Sequence, residues 1–263
     1  MAGVKNDYTI QSVQKALMIL RLFAQGTDRM TLSEISEQIG VGRSSTLRLL
    51  YTLVEAGFLN CDPKTKEYTL GIVIFELGTV KYNSLNWREL AVKKLHALSN
   101  ETGLLCYLAI REKNQMVMLE KIFPCSVPVW AQLMMQPGAA SALYSSGIGR
   151  LFLAQMSEAE LDDYFAHTKL EKFNEATIVD EGRLRELIRE CRQTGIGYNI
   201  GENESYISSL CAPIYDHLGT MVAGISLCGL HEVICGETRP ELMKKVQQTA
   251  KAISAEIGYK KKK

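Results

Sequence analysis

The spacing of apolar residues in the first part of the chain is typical of short helices. Apolar positions recur at intervals of three and four from Ile10 to Gln25, which predicts an amphipathic helix. Thr31-Leu-Ser-Glu34 has the form of a capping box and predicts a second helix that stops at Gly40. A third helix is predicted from about Arg43 to Ala56. Its inward face carries Thr46, Leu49, Leu50 and Leu53.

A hairpin and a further helix follow these three helices. Residues 58–61 and 67–70 are predicted to be strands joined by a turn. Because two helices joined by the tight Gly40-Val41-Gly42 turn precede this hairpin, we expect a winged helix-turn-helix at residues 8–71. Residues 72–86 form an apolar stretch of helical length, which we interpret as a linker helix buried between elements or subunits. This helix motivates the prediction of a homodimer or homotetramer.

From residue 87 onward the pattern changes to mixed α and β. Hairpins are expected around residues 112–115 and 216–219, with a third strand near 127–134. Helices are predicted at 87–102, 141–155, 157–167, 180–194 and 240–258. The predicted fold class is therefore α+β: an N-terminal winged helix-turn-helix, a linker helix at 72–86 and a C-terminal α/β domain at 87–259. A basic tail, residues 260–263, ends the chain.

The outward face of the third predicted helix has side chains suited to double-stranded DNA. Arginines bond to guanine edges or phosphates, serine and tyrosine hydroxyls donate to phosphates, and a leucine contacts a thymine methyl. The candidate DNA contacts are Arg43, Ser44, Ser45, Leu47, Arg48 and Tyr51 on this helix, with Lys64 and Lys66 at the tip of the hairpin. The alternative is a solvated surface on a helical domain that docks another protein.

Overall charge and cysteine content narrow the class of protein. The chain has 30 basic and 29 acidic residues, a net charge of +1, so any DNA site must depend on local basic groups. Seven scattered cysteines indicate reduced thiols rather than a secreted disulfide scaffold. The sequence has neither a signal-peptide core nor 18 uninterrupted apolar residues. We therefore expect a cytoplasmic protein without a membrane segment.

Several segments resemble the IclR family of bacterial transcriptional regulators. In the first domain these are Ser12-Val-Gln-Lys-Ala-Leu-Met-Ile-Leu20, Leu32-Ser-Glu-Ile35, Arg43-Ser-Ser-Thr-Leu-Arg-Leu-Leu50 and Tyr68-Thr-Leu-Gly71. In the second they are Leu143-Tyr-Ser-Ser-Gly-Ile-Gly-Arg-Leu-Phe-Leu-Ala154, Cys211-Ala-Pro-Ile-Tyr-Asp216 and Val222-Ala-Gly-Ile-Ser226. Within the family the chain is loosely similar to regulators of sugar-acid catabolism, including the 2-keto-3-deoxygluconate regulator. The resemblance implies operator DNA as a partner and a GAF-like domain that binds a small organic acid as effector.

A site for such an acid is expected at the start of a predicted helix. Around Tyr144-Ser-Ser-Gly147, free backbone N–H groups and the positive end of the helix dipole favour an anion, and Gly147 lets a ligand approach the backbone. The alternative is a serine-capped helix with nothing bound. The resemblance implies an effector pocket lined by Trp130, Leu133, Gly147, Ile148, Asn199, Ser209, Ser226 and Cys228, with Tyr144 at its rim. Ser146, in the helix-start segment, is a further candidate effector contact.

This chain departs from the family pattern at four of those positions. Asn199 replaces an acid, Ser209 a cysteine, Cys228 a serine and Tyr144 a histidine. Loss of the acid removes repulsion toward a carboxylate and adds an amide donor. We therefore expect a ligand that differs from those of well-known relatives.

Metal binding and catalysis are weaker interpretations. Cys228, His231 and Cys235 have a spacing compatible with three zinc ligands, but no fourth ligand is evident, and we favour buried thiols and a surface histidine. The sequence has no nucleophile elbow, no phosphate-binding glycine loop and no HExxH motif. We therefore expect that the protein binds neither a metal nor a cofactor and that it is not an enzyme. The competing hypothesis is a GAF-domain enzyme or thiol sensor whose helical domain docks a protein.

Overall fold

A computed structural model describes residues 8–24, 27–126 and 135–260. The chain divides into two compact units, with the boundary between Asn86 and Trp87. The predicted third strand of the second unit, residues 127–134, lies outside the described residues, as do the effector candidates Trp130 and Leu133. No helix in the described ranges is both long and apolar enough to span a lipid bilayer.

The N-terminal unit is a winged helix-turn-helix. Its elements are α1 (Gln11–Phe23), β1 (Met30–Thr31), α2 (Leu32–Ile39), α3 (Arg43–Glu55), β2 (Leu59–Cys61), β3 (Glu67–Leu70) and α4 (Ile72–Asn83). The strands form an antiparallel sheet of order β1-β3-β2. Ile19, Ile35, Leu50 and Leu59 are fully buried at its centre. The sequence pattern did not reveal β1, because two residues are too few to show an alternation.

Local capping interactions fix both ends of α2. The Thr31 hydroxyl accepts a hydrogen bond from the Glu34 amide, and the Glu34 carboxylate accepts one from the Thr31 amide at 2.7 Å, so the predicted capping box is confirmed. At the other end Gly40 adopts the left-handed conformation with φ of 65°. The turn into α3 is therefore set by short-range contacts.

The C-terminal unit is a six-stranded antiparallel sheet with helices on both faces. Its strands are β4 (Leu105–Glu112), β5 (Gln115–Ile122), β6 (Ala140–Ala142), β7 (Gly197–Ile200), β8 (Ile207–Tyr215) and β9 (Met221–Leu230), in the order β6-β5-β4-β9-β8-β7. Its helices are α5 (Arg88–Thr102), α6 (Gly147–Leu153), α7 (Glu158–His167), α8 (Glu181–Thr194), α9 (His231–Cys235) and α10 (Arg239–Glu256). The predicted mixed α and β fold is confirmed.

The two faces of this sheet have separate cores. One is formed with α5 and α10 and includes Leu95, Leu108 and Val246. The other is formed with α6, α7 and α8 and includes Ala109, Ile148, Leu151, Leu184 and Cys211. Because β-strand side chains alternate between faces, neighbouring residues such as Leu108 and Ala109 belong to different cores.

The predicted helix at 141–155 is wrong in its first part. Residues 140–142 form β6, which pairs with β5, a short 3-10 turn covers Leu143–Ser145, and the helix begins only at Gly147. Pairing with a strand more than twenty residues away overrides the local pattern here. The start of α6 packs directly on β7, because a Cβ atom at Gly197 would lie 2.1 Å from the Gly147 carbonyl oxygen.

Candidate effector pocket and DNA-binding helix

The two faces of α3 differ in exposure as an amphipathic helix requires. Thr46, Leu50 and Leu53 are buried and Leu49 is half-buried. The outward set, Arg43, Ser44, Ser45, Leu47, Arg48 and Tyr51, is exposed at every position. The Thr46 hydroxyl donates to the Val41 carbonyl at 3.1 Å, which ties α3 to the turn before it.

The two arginines of this surface are available for a partner. Within the described residues no salt bridge engages Arg43 or Arg48. An exposed guanidinium without a carboxylate partner retains its full hydrogen-bonding capacity for phosphates or guanine edges. The exposed face of α3 thus carries side chains whose chemistry suits phosphates and base edges.

The hairpin after α3 presents two lysines at its tip. The Asp62 carboxylate accepts hydrogen bonds from the backbone amides of Lys64, at 2.7 Å, and Thr65, at 3.1 Å. These bonds lower the pKa of Asp62 below its usual value and fix the turn. Lys64 and Lys66 are exposed, and Lys66 adopts a positive φ of 60°. The lysines are therefore held on a structured tip.

In the C-terminal unit, small side chains on one face of the sheet leave a cavity. Strand register aligns Tyr107 of β4 with Ser226 of β9 and Cys211 of β8, and it aligns Cys228 of β9 with Ser209 of β8 and Asn199 of β7. Serine and cysteine fill little of the space between the sheet and the helix above it. The resulting cavity measures about 100 Å³.

The first turn of α6 lies on the opposite side of the cavity from these strand residues, which form its floor. Gly147 and Ile148 both line the cavity, and a Cβ atom at Gly147 would lie 2.7 Å from the Cys211 sulfur. The Ser146 hydroxyl accepts from the Gly149 amide at 2.9 Å, which caps one of the free N–H groups of the helix. The amides of Gly147 and Ile148, the first two of the helix, have no acceptor among the described residues. They are donors that a bound ligand would satisfy.

Comparison with known proteins assigns both units to one family. A family profile described as bacterial transcriptional regulator IclR C-terminal matches residues 80–255, and the IclR helix-turn-helix domain profile matches residues 12–63. The chain belongs to the IclR family of bacterial transcriptional regulators. As a member of this family, it is a DNA-binding transcriptional regulator rather than an enzyme.

Similarity to individual IclR-family proteins extends over nearly the whole chain. The HTH-type transcriptional regulator KipR of Bacillus subtilis (strain 168) is 30% identical over 249 residues, which cover 95% of this chain and 98% of KipR. A crystal structure of an IclR transcriptional regulator from Alicyclobacillus acidocaldarius matches with a TM-score of 0.82 at 26% identity, covering 95% of this chain and all of that one. An IclR homolog from Microbacterium hydrocarbonoxydans, complexed with 4-hydroxybenzoate, matches with a TM-score of 0.80 at 18% identity. The match covers 94% of this chain and 98% of the homolog and shows that the two share a fold.

Seven of the residues that the IclR resemblance suggested meet at the cavity. They are Ser146, Gly147, Ile148, Asn199, Ser209, Ser226 and Cys228. Tyr144 does not line it. The Tyr144 hydroxyl donates to the Glu171 carbonyl at 3.0 Å and accepts from the Glu171 amide at 2.7 Å, which directs the buried ring into the core between α6 and α7. The hydroxyl expected at the rim of the pocket is thus bonded to Glu171, and a contact between Tyr144 and a ligand stays a prediction.

Other lining residues were not suggested by the resemblance. Tyr107 of β4 and Ser141 of β6 carry buried hydroxyls that have no hydrogen-bond partner among the described residues. Met116, Met118 and Met135 supply part of the apolar wall. The alternation of β4 placed Tyr107 on one face of a strand, but only its pairing with Ser226 places it at the pocket.

Asn199 and a buried ion pair hold the loop beside the pocket. The Asn199 amide nitrogen donates to the Ser145 carbonyl at 2.9 Å, and its oxygen accepts from the Glu202 amide at 3.1 Å, which leaves one amide hydrogen for a ligand. Arg150 of α6 forms a bidentate salt bridge with Glu202, and both side chains are almost fully buried. Asn203 and Glu204, which follow Glu202 directly, line the cavity. This network therefore links α6 to the pocket wall.

The cysteines of the pocket are neutral thiols. Burial raises the pKa of both Cys211 and Cys228 to about 12. A thiol with such a pKa is a poor nucleophile at neutral pH, which agrees with a regulator rather than an enzyme. Cys228 lies at the pocket, whereas the His231 ring bonds to the Ser208 hydroxyl at 3.1 Å and Cys235 is half-buried. Across the described part of the chain no three metal-ligating side chains converge on a common point.

Proposed function

We propose that this regulator binds a small organic acid in the cavity under α6 and that the acid changes its affinity for operator DNA. The cavity itself carries the proposal. The helix-start amides of Gly147 and Ile148 have no acceptor among the described residues, and they line a space whose other polar groups include the hydroxyls of Tyr107 and Ser226. Amide and hydroxyl donors suit a carboxylate, and the positive end of the helix dipole supports its charge. We assign this role to a GAF-like C-terminal domain at residues 87–259.

A solved IclR homolog that is complexed with 4-hydroxybenzoate supports an acid as the ligand class. Similarity of this chain to regulators of sugar-acid catabolism adds sugar acids to the candidates. A thermal-shift screen should therefore include propionate, pyruvate, gluconate, benzoate and 4-hydroxybenzoate. We expect at least one acid to raise the unfolding temperature in proportion to the logarithm of its concentration above the dissociation constant.

A pocket variant ties that stabilisation to the cavity. Ser226→Val removes a hydroxyl from the floor and adds bulk while keeping a residue that suits a strand. We expect this variant to fold and to lose the shift. The control, Thr220→Val, also replaces a hydroxyl-bearing residue with valine, at an exposed position outside the cavity, and should keep the shift. An equal shift in Ser226→Val would place the ligand elsewhere.

We assign DNA binding to α3, with the hairpin tip as a secondary contact. Arg43 and Arg48 are exposed and form no salt bridge in the described part of the chain, which supports direct contacts to bases or phosphates. Ser44, Ser45, Leu47 and Tyr51 flank them on the same surface. Lys64 and Lys66 are positioned to add contacts to the phosphate backbone. Because bacterial operators lie in the cytoplasm, we place the protein there.

Fluorescence anisotropy with labelled DNA from upstream of the protein's own gene tests this assignment. We expect specific binding that weakens with salt and is lost in Arg43→Ala/Arg48→Ala. The control, Arg183→Ala/Arg189→Ala, removes two exposed charges from α8 and should bind normally. Loss of binding in both double variants would indicate nonspecific charge effects, and binding retained by both would exclude α3 as the contact.

We further propose that the protein is a homodimer or homotetramer. Within the structure α4 has no buried residue, although it carries Ile72, Phe75, Leu77 and Val80, each more than half exposed. Isolated apolar residues on a surface are ordinary, but four on one short helix indicate an interface. Sedimentation at micromolar concentration should show an oligomer that Phe75→Asp weakens. The control Phe173→Asp, at an exposed phenylalanine of the C-terminal unit, should not weaken it.

A further inference from the structure

A second cavity of the C-terminal unit lies beside the part of β8 that β7 does not cover. The pairing of these two strands ends at Gly197 and Cys211, so no described strand pairs with residues 212–215 on that side. The end of α8 and the second half of α10 line the space next to this edge, which measures about 540 Å³. Its lining residues differ from those of the cavity under α6, so the two cavities are separate sites.

The uncovered edge of β8 offers an acceptor and no free donor at its described residues. Every second residue of a strand directs its amide and carbonyl to the same side. The Ile207 carbonyl accepts from the Gly201 amide at 3.1 Å, and Pro213 and Tyr215 continue its alternation toward that side. Pro213 has no N–H, and the Tyr215 amide donates to the Ser254 hydroxyl at 3.0 Å. A peptide strand needs donors as well as acceptors, so it cannot pair here, whereas a ligand that donates to the Pro213 carbonyl can.

A local turn after α10 places an aromatic pair at the cavity. Gly258 adopts the left-handed conformation with φ of 97°, and the Tyr259 amide donates back to the Ser254 carbonyl at 2.9 Å. The chain therefore folds back, and the Tyr259 ring stacks on the Tyr215 ring with centroids 5.3 Å apart and planes at 29°. Both tyrosines line the cavity and are half-buried. Such rings form a platform on which a further planar ring can stack.

The charge of this cavity comes from a lysine. Lys251 of α10 lines the space and is exposed, and within the described residues no salt bridge engages it. None of the described residues that line the cavity carries a carboxylate. Gln193 and Gln247 add side-chain amides, and Gln247 donates to the Thr194 carbonyl at 3.0 Å. The cavity therefore favours a ligand with an anionic group.

We propose that this second cavity binds a nucleoside monophosphate whose base carries an amino group. The base stacks on the tyrosine pair, its amino group donates to the Pro213 carbonyl, and its phosphate binds the Lys251 ammonium. Size supports this class of ligand. Since a cavity of about 150 Å³ holds benzene, a cavity of about 540 Å³ suits about 20 non-hydrogen atoms. An aromatic acid with an amino group has the same functional groups but only about half that size.

Matched ligands test each contact by titration calorimetry. We expect wild type to bind AMP or CMP about tenfold more tightly than IMP or UMP, which have an oxygen in place of the amino group. The corresponding nucleoside lacks the phosphate, and ribose 5-phosphate lacks the base. Both should bind at least tenfold more weakly than the nucleotide. Equal affinity for the amino and oxo nucleotides in both pairs would refute the contact with the edge of β8 and overturn the proposal.

Two variants locate the nucleotide. Lys251→Gln should weaken binding of the nucleotide about tenfold and leave the nucleoside unaffected. Tyr259→Leu should weaken both by about tenfold and leave ribose 5-phosphate unaffected. The controls are Lys244→Gln, at an exposed lysine of α10 outside the cavity, and Tyr206→Leu, at an exposed tyrosine of the same unit. Both controls should bind the nucleotide as wild type does.

A third variant separates this site from the cavity under α6. Ser226→Val alters that cavity and should leave nucleotide binding unchanged. Loss of nucleotide binding in Ser226→Val, or full binding in both Lys251→Gln and Tyr259→Leu, would place the ligand elsewhere and overturn the proposal. Failure of AMP and CMP to bind wild type at millimolar concentration would overturn it as well. None of these results depends on the acid proposed for the cavity under α6.

Discussion

Removing the charge of Glu202 should destabilise the C-terminal unit more than any conservative change at its surface. The Arg150 and Glu202 side chains are 1% and 3% exposed, and the two guanidinium Nη atoms bond to the two carboxylate oxygens. Arg150 also donates from Nε to the Tyr144 carbonyl and from Nη1 to the Tyr198 carbonyl, both at 3.0 Å. An arginine cannot lose its proton in a protein, so Glu202→Gln leaves a full charge buried with only neutral acceptors.

The expected loss follows from that burial. Breaking a buried pair by neutralising one partner costs about 3–5 kcal/mol. Glutamine keeps one carbonyl acceptor for the guanidinium, so we expect about 3 kcal/mol. For a unit of this size that corresponds to a decrease in the unfolding temperature of about 6–12 °C.

Tryptophan fluorescence in a urea titration reports this loss of stability for the C-terminal unit alone. Both tryptophans of the chain, Trp87 and Trp130, belong to the C-terminal unit, so the signal is not mixed with unfolding of the helix-turn-helix. Glu175→Gln is the control, because Glu175 forms a solvent-exposed pair with Lys172 and its loss should not be measurable. The double variant Arg150→Met/Glu202→Met should be less destabilised than the sum of the two single changes. A loss below about 1 kcal/mol in Glu202→Gln, or strictly additive effects, would refute the reasoning.

Three further predictions concern the helix-turn-helix, the thiols and the contact between α6 and β7. Thr46→Val removes a hydrogen bond of a buried side chain without changing its shape, so the free energy of unfolding should fall by about 1 kcal/mol. Hydrogen exchange of the α3 amides should become faster, and unchanged protection would contradict the prediction. At pH 8 a thiol reagent should modify exposed Cys125 rapidly but should not modify Cys228. The pKa of Cys228, about 12, leaves only about one thiol in 10⁴ as the reactive thiolate. Rapid labelling of Cys228 in the native protein would contradict its burial. Gly197→Ala should lower the unfolding temperature sharply because its Cβ would lie 2.1 Å from a carbonyl oxygen. Gly42→Ala, with no atom within 4 Å of its Cβ, should not, and similar unfolding temperatures for the two variants would refute the close contact.

Local sequence determined the N-terminal unit almost completely. The capping box at Thr31, the left-handed Gly40 and the apolar spacing of α3 are interactions among residues within a few positions of each other, and each can be recognised from the chain alone. The same spacing separated the exposed surface of Arg43 and Arg48 from the buried Thr46 face. The family resemblance also came from contiguous segments, and the comparisons bear it out.

Only the tertiary structure decided what surrounds the pocket. Tyr107 and Ser226 meet through strand register, and Arg150 and Glu202 are 52 positions apart, so no local pattern indicates either pair. Tyr144 shows the same limit in reverse: its place beside the helix start suggested a ligand contact, but packing against Glu171 directs its hydroxyl away. Helix caps and periodicity depend on nearest neighbours along the chain, whereas a cavity depends on which distant side chains fill the space between a sheet and a helix. The sequence by itself therefore determined the helix-turn-helix and the family, and the packing of the sheet against α6 decided the chemistry of the site.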